Sequence, residues 1–276
     1  MDFHVHITPP DIIANWEKYA AKEPYFALLS QSKRNKFAAA EDVIAALGNT
    51  ETAAFDKAVV FGFAFRDAGL CRYVNDYVIE KVKEYPQKLT GFMVVPARGE
   101  GAKEIERCSG SGLKGVGELF PAGQEIDLEN ERETADITGV CVEFGLPLLL
   151  HVNEPVGHYY PGKTDAGFRQ LETFITNNPE LKIVLAHWGG GLFLYETMSE
   201  IREKFRNVYY DTAAMPFLYD ERIYRAAKAL GLCGKILFGS DFPLLPHSRY
   251  FAALDKSGLS AEEKQLVLGG NARRLL

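Results

Sequence analysis

Eight short apolar, β-branched runs alternating with amphipathic helical stretches predict a single α/β domain of the (β/α)8 barrel class for this 276-residue chain. Two further observations support the prediction. The runs are nearly continuous in apolar character, as a parallel sheet buried on both faces requires, and polar side chains gather at their C-terminal ends, where βα loops build a site. A doubly wound open sheet is the alternative allowed by the same pattern.

The runs lie at 3–7 (FHVHI), 57–63 (KAVVFGF), 89–95 (LTGFMVV), 113–119 (LKGVGEL), 146–152 (LPLLLHV), 182–188 (KIVLAHW), 207–213 (NVYYDTA) and 235–241 (KILFGSD). Helical spacing of apolar residues predicts helices over 70–85, near 129–144, and over 167–178, 194–205 and 220–231. The longest connection, 8–56, carries its own helical pattern, AAAEDVIAALGNTETAAF, and is expected to form a cap inserted after the first strand. Ser-Ala-Glu-Glu at 260–263 fits a capping box opening the helix that ends the chain. With no repeats or linkers, residues 1–276 read as one domain.

Composition narrows the function. Hydrophobic residues at 47% and charged residues at 25% suit an ordinary packed core rather than disorder. A net charge of −6, with Lys and Arg scattered, disfavours a nucleic-acid partner. Cys71, Cys108, Cys141 and Cys233 are far apart and form no C-x-x-C pair, which suggests neither a disulfide framework nor a thiolate zinc site and fits a reducing cytoplasm. No basic leader with an apolar stretch opens the chain and no run of 18 apolar residues occurs, so a membrane partner is not expected. The inserted segment offers a surface for a homodimer.

The first run raises a sharper question. In a regular strand His4 and His6 project to one side while Phe3, Val5 and Ile7 face the other. Their company elsewhere points to a metal. Glu118 ends the fourth run, His151 the fifth, His187 the sixth and Asp241 the eighth, each after a string of apolar residues. Imidazoles and carboxylates make a nitrogen and oxygen site for a divalent cation, zinc foremost, with manganese, iron and cobalt compatible. A catalytic site keeps a position open for water, whose pKa the metal lowers from about 15.7 toward about 7. Asp241 is placed to accept that water's proton.

The stretches DFHVHITPP, LLLHVNEP, NPELKIVLAHWGGG, ILFGSDFPLL and LGGNARRLL, spread from residue 2 to 276, resemble the amidohydrolase superfamily. The likeness is nearest to its amidohydrolase-related branch, similar to aminocarboxymuconate-semialdehyde decarboxylase. The resemblance implies a (β/α)8 fold, metal ligands at His4, His6, His151 and Asp241, and His187 beside the metal to hydrogen-bond the water or polarise a substrate.

Glu118 is open to two readings. It is either a strand-end carboxylate paired with Lys114, Arg98 or a backbone amide, or a metal ligand. GVGELF is similar to the strand-4 motif of the TatD-like metal-dependent DNases, where a glutamate bridges two metals. Arg66 and Arg98 follow strands 2 and 3 and could grip a substrate carboxylate or serve as loop ion-pair partners. Asn153, with Glu154, His158 and Tyr160 in the same loop, and Trp188 are candidates to shape a substrate pocket; His247 reads as a loop histidine. Gly189–Gly191 could cradle a phosphate, although a tight turn after a catalytic residue needs small residues anyway. The leading expectation is a metal-dependent hydrolase acting on a carbonyl of a small, carboxylate-bearing amide, lactone or ester. A non-oxidative decarboxylase of an aromatic or unsaturated acid is the alternative. A TatD-like two-metal phosphodiesterase and a barrel with a purely structural metal stand behind them.

Overall fold

A computed structural model describes residues 1–31, 36–48, 55–164 and 167–276. Each run yields a strand, β1 displaced by one residue and the other seven shorter than their runs: β1 Asp2–His6, β2 Ala58–Phe61, β3 Leu89–Gly91, β4 Val116–Leu119, β5 Leu148–Leu150, β6 Ile183–Leu185, β7 Val208–Asp211 and β8 Ile236–Leu237. Every pairing is parallel, in a three-stranded sheet β1-β2-β3 and a five-stranded sheet β4-β5-β6-β7-β8. Backbone hydrogen bonds join the two sheets along both edges. Met93 N–H donates to Gly115 and Gly117 N–H to Met93 on one side; Phe3 N–H donates to Phe238, Asp241 N–H to His4 and His6 N–H to Phe242 on the other.

Helices follow the strands: Ala68–Glu84, Gly101–Gly110, Glu131–Glu143, Phe168–Asn177, Ser199–Lys204, Arg222–Ala229 and Ser248–Asp255. Alternate strand residues divide the core. Val60, Leu148, Leu150, Ile183 and Leu185 pack with helical Val74, Val78, Ile137, Cys141, Leu171 and Phe174. Phe3, Val59, Phe61, Phe92, Leu149, Val184 and Leu237 form a separate inner cluster. Burial of each strand on both faces accounts for the near-continuous apolar runs.

The strict alternation expected for β1 does not hold. Phe3 packs in the inner cluster whereas Val5 and Ile7 pack outside it. The register of β1 against β2 slips between Asp2 and Val5, so Phe3 and His4 face the interior in succession. The same device recurs in β4, whose register against β5 slips between Val116 and Leu119, around Gly117 and the inward-facing Glu118. An irregularity of this kind re-aims a side chain without ending the strand.

Two further differences concern helices. The stretch 194–205 is not one helix: a left-handed turn through Trp188–Gly191, continued by 3-10 turns to Thr197, precedes the short helix Ser199–Lys204. The helix Gly101–Gly110 escapes the periodicity reading because its sequence is rich in glycine and charge, although Ile105 and Cys108 are fully buried. Ser260 and Glu263 do form the capping box, with Glu263 N–H on Ser260 Oγ at 3.2 Å and Ser260 N–H on Glu263 Oε2 at 2.7 Å. The helix it opens breaks at Gly269 before Asn271–Leu275.

The 8–56 connection holds the helices Pro10–Ala14, Trp16–Ala20, Pro24–Ser30 and Ala40–Leu47; the 49–54 part of its helical pattern lies outside the described residues. The buried carboxylate of Glu23 accepts the N–H groups of Arg66 (3.0 Å) and Asp67 (2.9 Å). Tyr25 packs edge-on against Phe120, with ring centroids 4.0 Å apart, and its hydroxyl donates to the Gly162 carbonyl. The segment is thereby held against the loops after β2, β4 and β5. Among the described residues, no helix is long and apolar enough to cross a membrane.

Candidate metal centre

Six side chains predicted from strand ends converge at the C-terminal end of the strands, in two groups. His4, His6 and Asp241 make one, and Glu118, His151 and His187 the other; within each, the ligand atoms lie within 4.8 Å of one another. In the first group, His6 Nε2 is 3.3 Å from His4 Nε2 and 3.3 Å from Asp241 Oδ1, and His4 Nε2 is 3.6 Å from that oxygen. In the second, Glu118 Oε1 is 2.9 Å from His151 Nδ1 and 3.4 Å from His187 Nε2, which stand 3.2 Å apart. Donors about 2.1 Å from a common tetrahedral cation stand about 3.4 Å apart, so both groups have the spacing a divalent metal needs. Glu118 links them: its Oε2 lies 3.5 Å from both His4 Nε2 and His6 Nε2.

Backbone geometry delivers these groups. Gly117, at φ +121°, could carry no Cβ, which would lie 2.3 Å from the Leu149 carbonyl oxygen; glycine before Glu118 is what lets β4 approach β5. A Cβ on Gly239 would lie 2.7 Å from His4 Cβ, so the glycine of the GSD motif makes room for a ligand on the neighbouring strand. His187 and Asp241 both take left-handed backbone, at φ +57° and +55°. That conformation costs a non-glycine residue about 1–2 kcal/mol. Hydrogen bonds hold it: His187 N–H to Asp211 Oδ1 at 3.0 Å and Asp241 N–H to the His4 carbonyl at 2.9 Å.

One participant escaped the sequence reading. Asp211 ends β7 and is fully buried; its Oδ2 accepts His4 Nδ1–H at 2.8 Å and its Oδ1 accepts the N–H of Ala213 at 3.0 Å. NVYYD carries the same apolar-run-then-carboxylate signal that singled out Asp241. His187 Nδ1–H donates to the Ala213 carbonyl at 3.1 Å. Both imidazoles therefore keep a proton on Nδ1 and aim Nε2 at the centre.

The electrostatics favour cations. Burial opposes charging His4, but the Asp211 and Glu118 carboxylates outweigh it and hold the imidazole well above its ordinary range. Burial also opposes charge on His187, yet Glu118 and Asp241 raise it to about 9. His151 is pushed down by burial, which Glu118 only partly offsets. Despite burial, His4 and His151 hold Glu118 well below the usual carboxylate range, and His6, His4 and His187 hold Asp241 at about 2. A centre that stabilises positive charge on its imidazoles will stabilise a divalent cation among them. Solvent reaches it from one side: His4 is fully buried, whereas 27% of the His6 side chain and 20% of His151 are exposed. Phe61 packs edge-on beneath His4 and His6, and Phe120 against His151.

A family model described as amidohydrolase matches residues 1–276. The chain belongs to the amidohydrolase family. Among solved structures, this amidohydrolase resembles 5-carboxyvanillate decarboxylase from Novosphingobium aromaticivorans, complexed with manganese and 4-hydroxy-3-methoxy-5-nitrobenzoic acid. That match has 18% identity and a TM-score of 0.75, covering 100% of this chain and 95% of the other. It also resembles 4-oxalomesaconate hydratase from Rhodopseudomonas palustris, at 20% identity and TM-score 0.69 over 99% and 94% of the two chains. A protein from Acinetobacter baumannii assigned as a 2-pyrone-4,6-dicarboxylic acid hydrolase, with citric acid bound, matches at 14% identity and TM-score 0.65 over 99% and 97%. At these identities the likeness shows the fold, and the chemistry has to be argued from residues. No curated protein matches the sequence.

The residues expected to bind substrate are placed otherwise. Arg66 pairs with Glu125 at 3.0 Å and Arg98 with Glu133 at 3.2 Å, both at the surface, so neither guanidinium joins the six donors. Trp188 is fully buried against Phe193 and Tyr224, because the left-handed turn swings its indole into the core rather than the pocket. Asn153 organises its own loop: Nδ2–H donates to the Tyr160 hydroxyl (3.1 Å) and Oδ1 accepts Thr164 N–H and Oγ1–H, both at 2.9 Å. Glu154 is held there by Lys163 at 3.1 Å, and His158 is exposed. His247 Nε2 bonds the buried Asp2 at 2.8 Å, and Asp2 also accepts the N–H and Oγ–H of Ser240.

Proposed function

We propose that this amidohydrolase-family chain is a metal-dependent hydrolase whose two donor groups hold two divalent cations, zinc foremost, on either side of Glu118. We read residues 1–276 as one closed (β/α)8 barrel, with 8–56 as the cap beside the metal centre. The observation that carries the reading is the position of Glu118, with Oε2 facing His4 and His6 and Oε1 facing His151 and His187. A carboxylate serving only a structural ion pair would face one partner group.

When bound, the cations supply a Lewis acid for a carbonyl oxygen and a water acidified to near neutrality. The chain's own contributions follow from geometry. Asp241, its carboxylate ionised beside the imidazoles of His6 and His4, takes the proton lost from water, later returning it to the leaving group. His187, its Nδ1–H held by the Ala213 carbonyl, presents Nε2 in a fixed direction. Phe61 and Phe120 shield the centre from bulk water, which strengthens each electrostatic contact there. The substrate on this reading is small, carries a hydrolysable amide, lactone or ester carbonyl and bears a carboxylate.

The test combines metal analysis with a substrate panel. The purified protein should carry two equivalents of divalent metal per chain, and His4→Ala fewer; equal content in both removes the site assignment. Lactones, amides, hydroxybenzoates and an aryl phosphodiester should then be followed for acid, CO2 and phenol release. Acid from a carbonyl substrate supports the hydrolase. Carbon dioxide without hydrolysis product replaces it with a decarboxylase, and phosphodiester cleavage alone with a phosphodiesterase.

A further inference from the structure

We infer that Asp211 is the positioning residue that orients one ligand in each donor group, its Oδ2 fixing the His4 ring in the first and its Oδ1 the backbone that carries His187 in the second. The inference rests on the two-cation reading above. Asp211 is fully buried and accepts three hydrogen bonds, from His4 Nδ1–H (2.8 Å), His187 N–H (3.0 Å) and Ala213 N–H (3.0 Å). The first fixes a ligand of the His4, His6, Asp241 group. The other two set the β6 strand end and the Ala213 carbonyl that takes His187 Nδ1–H, fixing a ligand of the Glu118, His151, His187 group. His151 has no comparable support, since its Nε2 is buried without a partner among the described residues.

The two carboxylate oxygens do different work, and that makes the inference separable from mere packing. In Asp211→Asn the amide oxygen serves the two backbone N–H groups, and the NH2 faces His4 Nδ1. His4 must then accept there and carry its proton on Nε2, pointing it at the cation position. His187 keeps its support. The substitution should therefore strike the first group and spare the second.

Cobalt(II) titration of the metal-free protein, with chelator competition, provides the test. Wild type should take up two equivalents; D211N should take up one with wild-type affinity and the other about 10–100-fold more weakly. Glu196→Gln is the control, because Glu196 is equally buried and bonded to Tyr210 and Lys235, outside the donor groups. It should bind both equivalents as wild type does. Two equivalents in D211N within twofold of wild type, or equal weakening in E196Q, overturns the inference. If wild type binds one equivalent, the two-cation reading fails, and the claim for Asp211 is still decided by whether D211N weakens that one; if it binds none, both fall. Should D211N not fold, zinc-loaded wild type labelled with 15N-histidine answers the question by NMR. His4 and His187 should show exchange-protected protons on Nδ1, and a proton on Nε2 of either overturns the inference.

Discussion

The two donor groups each combine two imidazoles with a carboxylate but are built differently. Glu118, His151 and His187 come from β4, β5 and β6, adjacent strands of one sheet, each supplying one residue from its C-terminal end. Strand spacing of about 4.8 Å sets these residues side by side, and a register slip in β4, a glycine at 117 and a left-handed His187 aim them. His4, His6 and Asp241 come from opposite ends of the chain and meet where β1 joins the strand end after β8. Their geometry needs a register slip in β1, a left-handed Asp241, a glycine at 239 and the bonds Asp241 N–H to His4 and His6 N–H to Phe242. The first group thus depends on hydrogen bonds between the two ends of the chain that the second does without.

Glu118→Gln should break the comparison most severely, because this residue belongs to both groups. It leaves the second with two imidazoles and the first with its own three ligands. Metal content after dialysis should fall from two equivalents to one, with hydrolytic rate down by about 10²–10⁴. Two retained equivalents would show that Glu118 bridges nothing.

Gly239→Ala should sharpen the contrast between the groups. The added methyl lies 2.7 Å from His4 Cβ, so either His4 or β8 must shift. Overpacking of this kind costs about 1–3 kcal/mol, readable in urea denaturation of the metal-free protein. Metal titration should show weakened binding at the first group and unchanged binding at the second; equal loss at both would mean that the junction and the sheet are one mechanical unit.

The smallest effects are expected from Arg66→Ala and Arg98→Ala. Their partners Glu125 and Glu133 are surface carboxylates, and 70% of the Arg98 side chain is exposed. Such pairs contribute less than about 1 kcal/mol. Stability, metal content and KM should all stay near wild type. A KM rise in either variant would return that arginine to the substrate.

Legibility followed how local the physics is. The eight runs, and the polar residues closing five of them, were readable because burial on both faces of a parallel strand imposes apolar continuity, and its interruption is conspicuous. Asp211 had that same signal in NVYYD, but its partners, a histidine 207 residues away and two backbone N–H groups, have no trace in the local pattern. The surface pairing of the arginines was unreadable for the opposite reason: a cation after a strand is equally at home beside any nearby carboxylate, and only the path of each loop decides which one it meets. Trp188 was misplaced by backbone rather than chemistry, since a left-handed turn reverses the direction a neighbour of His187 would otherwise take.

The amino-acid sequence by itself determined the order of strands and helices, the parallel architecture and the six donor types at the strand ends, because these depend on periodicity and on where apolar runs stop. Tertiary structure alone decided that the donors divide into two groups, that Glu118 stands between them and that Asp211 orients a ligand in each. Those outcomes depend on register slips in β1 and β4 and on contacts between strands far apart in the chain. A displacement of one residue in register turns a side chain from one face to the other, and no local pattern of residues records it.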